Sequence, residues 1–215
     1  MSSAASHAVE HIVLIRVKDD VEPSKVNDIR SLATLDQVRH LTVGPVLRSH
    51  ATTTNATSDL RFTHLLHSRY DSKEDLEAYN AHPRHLGAVR GSLFPICGDL
   101  MAVDWFGDED ALPPHPTPGS AIRVSFLKLK DGAGGEVKDE VLDAVRKMRG
   151  GGGAISGFSC GGNFSPEWAK GLSIASLAVF PGRKELEEVD PNEWLVKVRE
   201  HLESVVVVDY VLPLE

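Results

Sequence analysis

The hydrophobic pattern of the chain is written twice. Residues 11–17, with Ile12, Val13, Leu14, Ile15 and Val17, form an apolar run that closes on Lys18-Asp19. Residues 122–129 form a second such run, closing on Lys130-Asp131. Apolar residues at both odd and even positions predict strands covered on both faces. Residues 63–70 and 173–180 make a second matching pair. Each is followed by a turn and an acidic helical stretch, at 73–77 and 184–188. Residues 100–105 and 205–210, each with an aspartate before an aromatic, make a third. A pattern that recurs in the same order signals an internal repeat.

Within the first copy the elements follow in turn. A strand is expected over 11–17 and a helix from about Pro23 to 35, where Pro suits the first helical turn and Val26, Ile29, Leu32 and Ala33 recur at helical spacing. A strand over 41–47, a polar loop over 49–59 and a strand over 62–70 come next. A helix then opens at Asp71 or Ser72 with a capping-box arrangement, a short helix lies near Pro83, and a last strand ends at Trp105. The order β-α-β-β-α-β is the ferredoxin-like unit. One such unit leaves a sheet face bare, and a tandem copy supplies the cover. The expected fold is α+β: two tandem ferredoxin-like repeats forming an intramolecular dimeric α/β barrel around an apolar lumen. The expected boundaries are a tail at 1–8, a first repeat at 9–106, a linker at 107–119 and a second repeat at 120–215. Four prolines and three acids make that linker stiff and solvated. The glycine run at 150–153 lacks the Gly-Lys-Ser/Thr ending of a phosphate loop and is expected as a flexible connection.

Composition narrows the classes. The 215 residues are 41% hydrophobic and 25% charged, within the range of globular proteins. The net charge is −8 and neither half is basic, which argues against nucleic acid and anionic membrane as partners. Two cysteines build no disulfide framework and fit a reducing compartment. No signal-peptide pattern opens the chain and no peroxisomal address closes it, so the cytoplasm is the expected location, with the peroxisome as the alternative. Linking the repeats makes their association independent of concentration. The chain is expected to fold as a monomer at dilution, with further pairing into a homodimer open to it.

The candidate chemistry lies in the histidines. Eight of the ten fall within residues 1–106. Strand alternation puts His11 on a face with Val13 and Ile15, and His64 on a face with Leu66 and Tyr70. Tyr79, His82 and His85, spaced by three, would stack along one side of a helix were Pro83 not between them. These five residues are the candidate site: a Tyr- and His-lined pocket between sheet and helices, able to polarise a carbonyl and move a proton. The alternatives are histidines that merely hydrogen-bond to backbone, and a zinc site, for which no ligand spacing is present. No metal or cofactor is expected. The second copy has Arg123, Ile174, Val189, Asn192 and Leu195 at the corresponding positions, so it is expected to be a structural partner.

The residues 10–13, 62–64 and 79–85 (Tyr-Asn-Ala-His-Pro-Arg-His) resemble the dimeric stress-response A/B barrel family, often called Dabb. Residues 162–171 and 175–182 resemble the C-terminal repeat of its tandem plant members. The resemblance implies a ferredoxin-like barrel with roles in stress response and antifungal defence, without an assigned reaction. The first copy also resembles olivetolic acid cyclase, a member that closes a polyketide by metal-independent aldol condensation. That likeness implies His85 as general base, Tyr79 as the hydroxyl beside it, and His11, His64 and His82 as ligand-binding residues. A further tyrosine of that enzyme falls near Asp28 or Ile29, which cannot replace it. The expected function is a stress or defence protein binding a small hydrophobic ligand, with polyketide cyclisation as the alternative.

Overall fold

The computed structural model describes residues 8–19, 21, 24–53, 61–107, 116–150, 153–191, 193 and 195–214. The expected tail, the helix start at Pro23, most of the linker and the centre of the glycine run lie outside them.

The first repeat comprises β1 (Val9–Val17), α1 (Ser24–Arg30), β2 (His40–Pro45), β3 (Arg48–Thr53), β4 (His64–Tyr70), α2 (Lys73–Ala81), α3 (Pro83–Ala88), a single turn α4 (Phe94–Ile96) and β5 (Cys97–Phe106). The second comprises β6 (Ala121–Leu129), α5 (Gly135–Arg146), β7 (Gly157–Gly162), β8 (Ile174–Phe180), α6 (Arg183–Glu188) and β9 (Leu202–Val211). The strands form two antiparallel sheets, ordered β2-β4-β1-β5 and β3-β9-β6-β8-β7. Apart from β3, both have the ferredoxin-like order.

Alternation along the strands sorts the side chains into three cores. Ile12, Leu14, Leu65, Met101, Val103 and Trp105 of the first sheet meet Ile122, Val124, Phe126, Leu177, Val208 and Tyr210 of the second. The opposite faces are covered by helices, with Val13, Ile15 and Leu66 under α1 and α2 in one repeat and Leu127, Phe158 and Ala178 under α5 and α6 in the other. Two hydrogen bonds cross between the sheets: Thr42 Oγ1 to the Tyr210 hydroxyl at 2.8 Å, and Trp105 Nε1 to Ser159 Oγ at 3.0 Å. A buried Glu10 joins His67 Nε2 at 2.7 Å and Arg69 on the same inner face.

The sheets of the two tandem repeats face each other as expected, and two details differ. The space between the sheets is filled core, not a lumen. The polar stretch expected as a loop from Ser49 begins as β3, which leaves its own repeat and pairs with β9 of the other. Pro45 ends β2, Leu47 N–H donates to the Asp209 carbonyl at 2.8 Å, and Arg48 Nε meets Asp209 Oδ2 at 2.5 Å. As an edge strand facing water, β3 needs backbone pairing and no apolar face, so its sequence resembles a loop.

Candidate functional site

The site is built on β1 and closed by α2 and α3. In register, His11 lies opposite Ser68 of β4 and Asp104 of β5. Its Nδ1 is 2.5 Å from Asp104 Oδ1, and both residues are buried. Burial pushes the Asp104 carboxyl upward. The His11 charge and hydrogen bond, helped by the Ser165 side chain, outweigh it and hold the carboxyl below its ordinary range.

Helix α2 starts where Ser72 Oγ accepts the Asp75 N–H at 3.1 Å. Two turns later it presents Tyr79 to the sheet, its ring 5.2 Å from that of Tyr70. The Tyr70 hydroxyl lies 3.0 Å from Ser68 Oγ. Burial raises the Tyr79 hydroxyl to about 12 and raises Tyr70 further, so both stay protonated donors near neutral pH.

Pro83 then decides which residues meet. It cannot continue α2, so His82 turns extended (φ −65°, ψ 133°) and becomes the N-cap of α3, its Nδ1 accepting the Arg84 N–H at 3.1 Å. The new helix brings the His85 ring to 4.4 Å from that of Tyr79. His85 Nδ1 donates to the Asn80 carbonyl at 3.1 Å, so in the neutral ring Nε2 keeps its lone pair. Burial lowers the pKa of His85; the Asn80 hydrogen bond opposes this, and the nearby His11 and His82 add to it. This is the arrangement of a base held neutral at physiological pH.

Between these groups lies a cavity of about 40 Å3. His11, Tyr79 and His85 supply its polar wall, and Val13, Leu32 and Leu66 are among its apolar lining. Val89 and Leu93 close one side from a wide turn, Val89–Leu93, where the helix adopts π geometry. Such turns are frequent at functional sites. A larger hollow of about 690 Å3 lies in the second repeat beside Glu140, Asp143, Lys147 and Lys197. Among the described residues neither His, Tyr nor Cys lines it.

Of the five candidates, the structure brings His11, Tyr79 and His85 together. His82 caps α3 instead of lining the cavity. His64 shares the helix-facing side with His11 but pairs in register with Ile15, at the other end of the strand, with Nδ1 3.0 Å from Thr63 Oγ1. Burial lowers its pKa. Asp104, Tyr70 and Ser165 are additions that the histidine pattern did not show. The available signal for Asp104 was its recurrence as Asp209, an acid inside an apolar strand of both repeats. Among the described residues no cluster of three or more His, Cys, Asp or Glu could hold a metal ion. No described helix is long and apolar enough to cross a membrane.

The sequence profile of the Stress responsive A/B Barrel Domain matches residues 9–106 and again 122–212. The chain belongs to that family. Among curated relatives, a stress-response A/B barrel domain-containing protein of Arabidopsis thaliana is 42% identical over 221 residues, spanning 99% of this chain and 81% of the relative. A second Arabidopsis thaliana protein, described in the same words, is 39% identical over 215 residues, spanning 97% of this chain and 98% of the relative. Among solved structures, a putative monooxygenase from Fusobacterium nucleatum superimposes with a TM-score of 0.66 at 9% identity, covering 96% of this chain and 93% of that one. At that identity the likeness concerns the fold alone. As a tandem stress-response A/B barrel protein, this chain carries the His11–Tyr79–His85 constellation in its first repeat only. At the equivalent place in the second repeat, the Arg123 guanidinium binds Asp209 and the Leu186 and Val189 carbonyls.

Proposed function

We propose that this stress-response protein binds one small, mainly apolar molecule in its first repeat, through a single hydroxyl accepted by His85 or a single carbonyl held by the Tyr79 hydroxyl beside it. The observation that carries this reading is the His85 ring, its Nδ1 committed to the Asn80 carbonyl and its ring lining an apolar cavity beside Tyr79. A neutral imidazole nitrogen accepts a hydroxyl, and the Tyr79 hydroxyl donates to a carbonyl. Cyclising a polyketide needs room for a medium acyl chain, on the order of 300 Å3 or more. The cavity of about 40 Å3 does not offer it, which favours binding of a compact ligand over cyclisation.

The test is a series of methyl ketones, from propanone to nonan-2-one, followed by chemical-shift perturbation and thermal shift. Short ketones are expected to move the His85 ring signals and to lose this effect in His85→Ala and Tyr79→Phe. If no ketone or matching alcohol perturbs His85, the cavity is closed core packing. Tight binding of the long ketones would restore the cyclase reading and justify turnover assays.

The finer biological reading is cytosolic defence, with antifungal action. Its support is the family relationship and a chain with two cysteines, too few for a disulfide framework. Fungal growth inhibition by the purified protein, abolished in His85→Ala, would tie that role to the cavity, and a fluorescent fusion would locate it.

A further inference from the structure

The first repeat's site borrows a loop from the second. In the first sheet β5 is the outer strand, so Asp104, paired with His11 on one side, has no strand on the other. The second repeat takes that place. Asn163 Oδ1 accepts the Asp104 N–H at 3.1 Å, and Phe164 N–H donates to the Asp104 carbonyl at 3.0 Å. Asn163 is itself fixed: its Oδ1 also accepts the Ser165 N–H at 2.9 Å, and its Nδ2 donates to the Leu172 carbonyl at 3.2 Å.

The opposite repeat has the reciprocal contact. Leu47 N–H donates to the Asp209 carbonyl at 2.8 Å, and Arg48 Nε reaches Asp209 Oδ2 at 2.5 Å. A backbone N–H from the other repeat thus lands on the carbonyl of the equivalent aspartate in either direction. What differs is the chemistry at the carboxylate. Asp209 lies between two permanent cations, Arg48 and Arg123, and its carboxylate is locked into structure. The Asp104 carboxylate receives one imidazole, and that imidazole faces a cavity.

We infer that Asn163 of the second repeat is a positioning residue for the His11–Asp104 pair, so that the ligand site is completed across the repeats. Asn163 Oδ1 and the Phe164 N–H fix the backbone of Asp104 at its amide and at its carbonyl. The carboxylate in turn holds Nδ1 of His11 as a donor, which leaves Nε2 as the acceptor of the neutral ring. The second repeat is then a partner in the site and not only a cover for the sheet. This inference rests on reading the cavity as the ligand site.

The test uses the full chain, 15N-labelled, with long-range proton–nitrogen correlations of the histidine rings and butan-2-one as the probe. Asn163→Ala is expected to shift the His11 ring nitrogens and leave the ring of His201 in place. Asn163→Asp, which keeps the acceptor oxygen, is expected to restore them. Arg48→Ala, a change at the equivalent contact of the other repeat, should not move them. Butan-2-one affinity is expected to fall several-fold in Asn163→Ala while the melting temperature stays within a few degrees of wild type. Unchanged His11 signals in folded Asn163→Ala overturn the inference. Shifted His11 signals with no butan-2-one binding to the wild type uphold the positioning and overturn the ligand reading instead.

Discussion

His11 and Arg123 hold the same position in the two sheets, each paired in register with the aspartate of its own last strand, Asp104 or Asp209. The longer side chain of Arg123 continues past that aspartate. It reaches the Val189 carbonyl at 2.6 Å and the Leu186 carbonyl at 3.3 Å, at the end of α6. A cation among the last carbonyls of a helix is favourable. The imidazole of His11 stops short of that distance, and the space it leaves contributes to the cavity. One repeat fills the position with an ion pair and a helix-end contact, and the other leaves a small cavity beside it.

Arg123→Ala is therefore expected to destabilise strongly. Removing one partner of a buried ion pair leaves a buried charge behind and costs about 3–5 kcal/mol. Urea denaturation measures it. A loss below about 1 kcal/mol would mean that Arg48 alone satisfies Asp209.

Acid is expected to weaken the fold in two stages. Burial lowers the pKa of His64 and His85 from 6.5, so the unfolded chain takes up these protons first. Stability then falls as the pH drops below 6.5, until the lower folded values are passed. Glu10 and Asp104 are held below 4.5 and 3.8, despite burial, by His67 and Arg69 and by His11 and Ser165 respectively. Their contribution is complete above those unfolded values and is lost as the pH falls through the folded ones. Urea midpoints across the range from about pH 3 to about pH 8 should show both stages, and His85→Leu should shrink only the first. A curve unchanged in that variant would remove His85 from the account.

Gly161→Ala is expected to cost about 1–3 kcal/mol, the usual penalty for overpacking. An added Cβ would lie 2.9 Å from Trp105 Cδ1 and 3.0 Å from the Phe106 carbonyl oxygen, and that backbone cannot yield easily. Gly134→Ala meets nothing within 4 Å and serves as the control. Equal melting temperatures for the two variants would contradict the tight approach of β5 and β7.

Tyr210→Phe removes the hydroxyl that meets Thr42 across the sheets. With Thr42 buried and its partner gone, a loss of about 1–3 kcal/mol is expected. A double-mutant cycle with Thr42→Val isolates the coupling, and independent effects would show that the two hydroxyls do not depend on each other.

The central strands were legible because residues such as Ile12, Val13, Leu14 and Ile15 are apolar on both faces, and the fold has cover on both. Tyr79 and His85 were legible as neighbours from their spacing and His11 from alternation. His82 was misgrouped because Pro83 makes it a cap. His64 was misgrouped because alternation specifies a face, whereas only register specifies the position along it. Asp104 and Asn163 were not legible as a pair, since they lie 59 positions apart in different repeats and meet only through the docking of the sheets. Edge strand β3 escaped for the opposite reason: its pairing is made by backbone atoms common to every residue.

That strand also separates heredity from folding. The repeats meet in sequence between residues 106 and 122, yet cutting there would leave β3 attached to the wrong piece. A fragment of residues 120–215 would expose the outer edge of β9, with Val205, Val206, Val207 and Val208 along it, as a template for any passing strand. A fragment of residues 9–106 would carry an unpaired ribbon. Each sequence repeat thus lacks, on its own, a strand pairing that the whole chain supplies. A modular swap of one repeat between relatives must carry β3 with its host sheet, or exchange a folded monomer for strand-swapped aggregates.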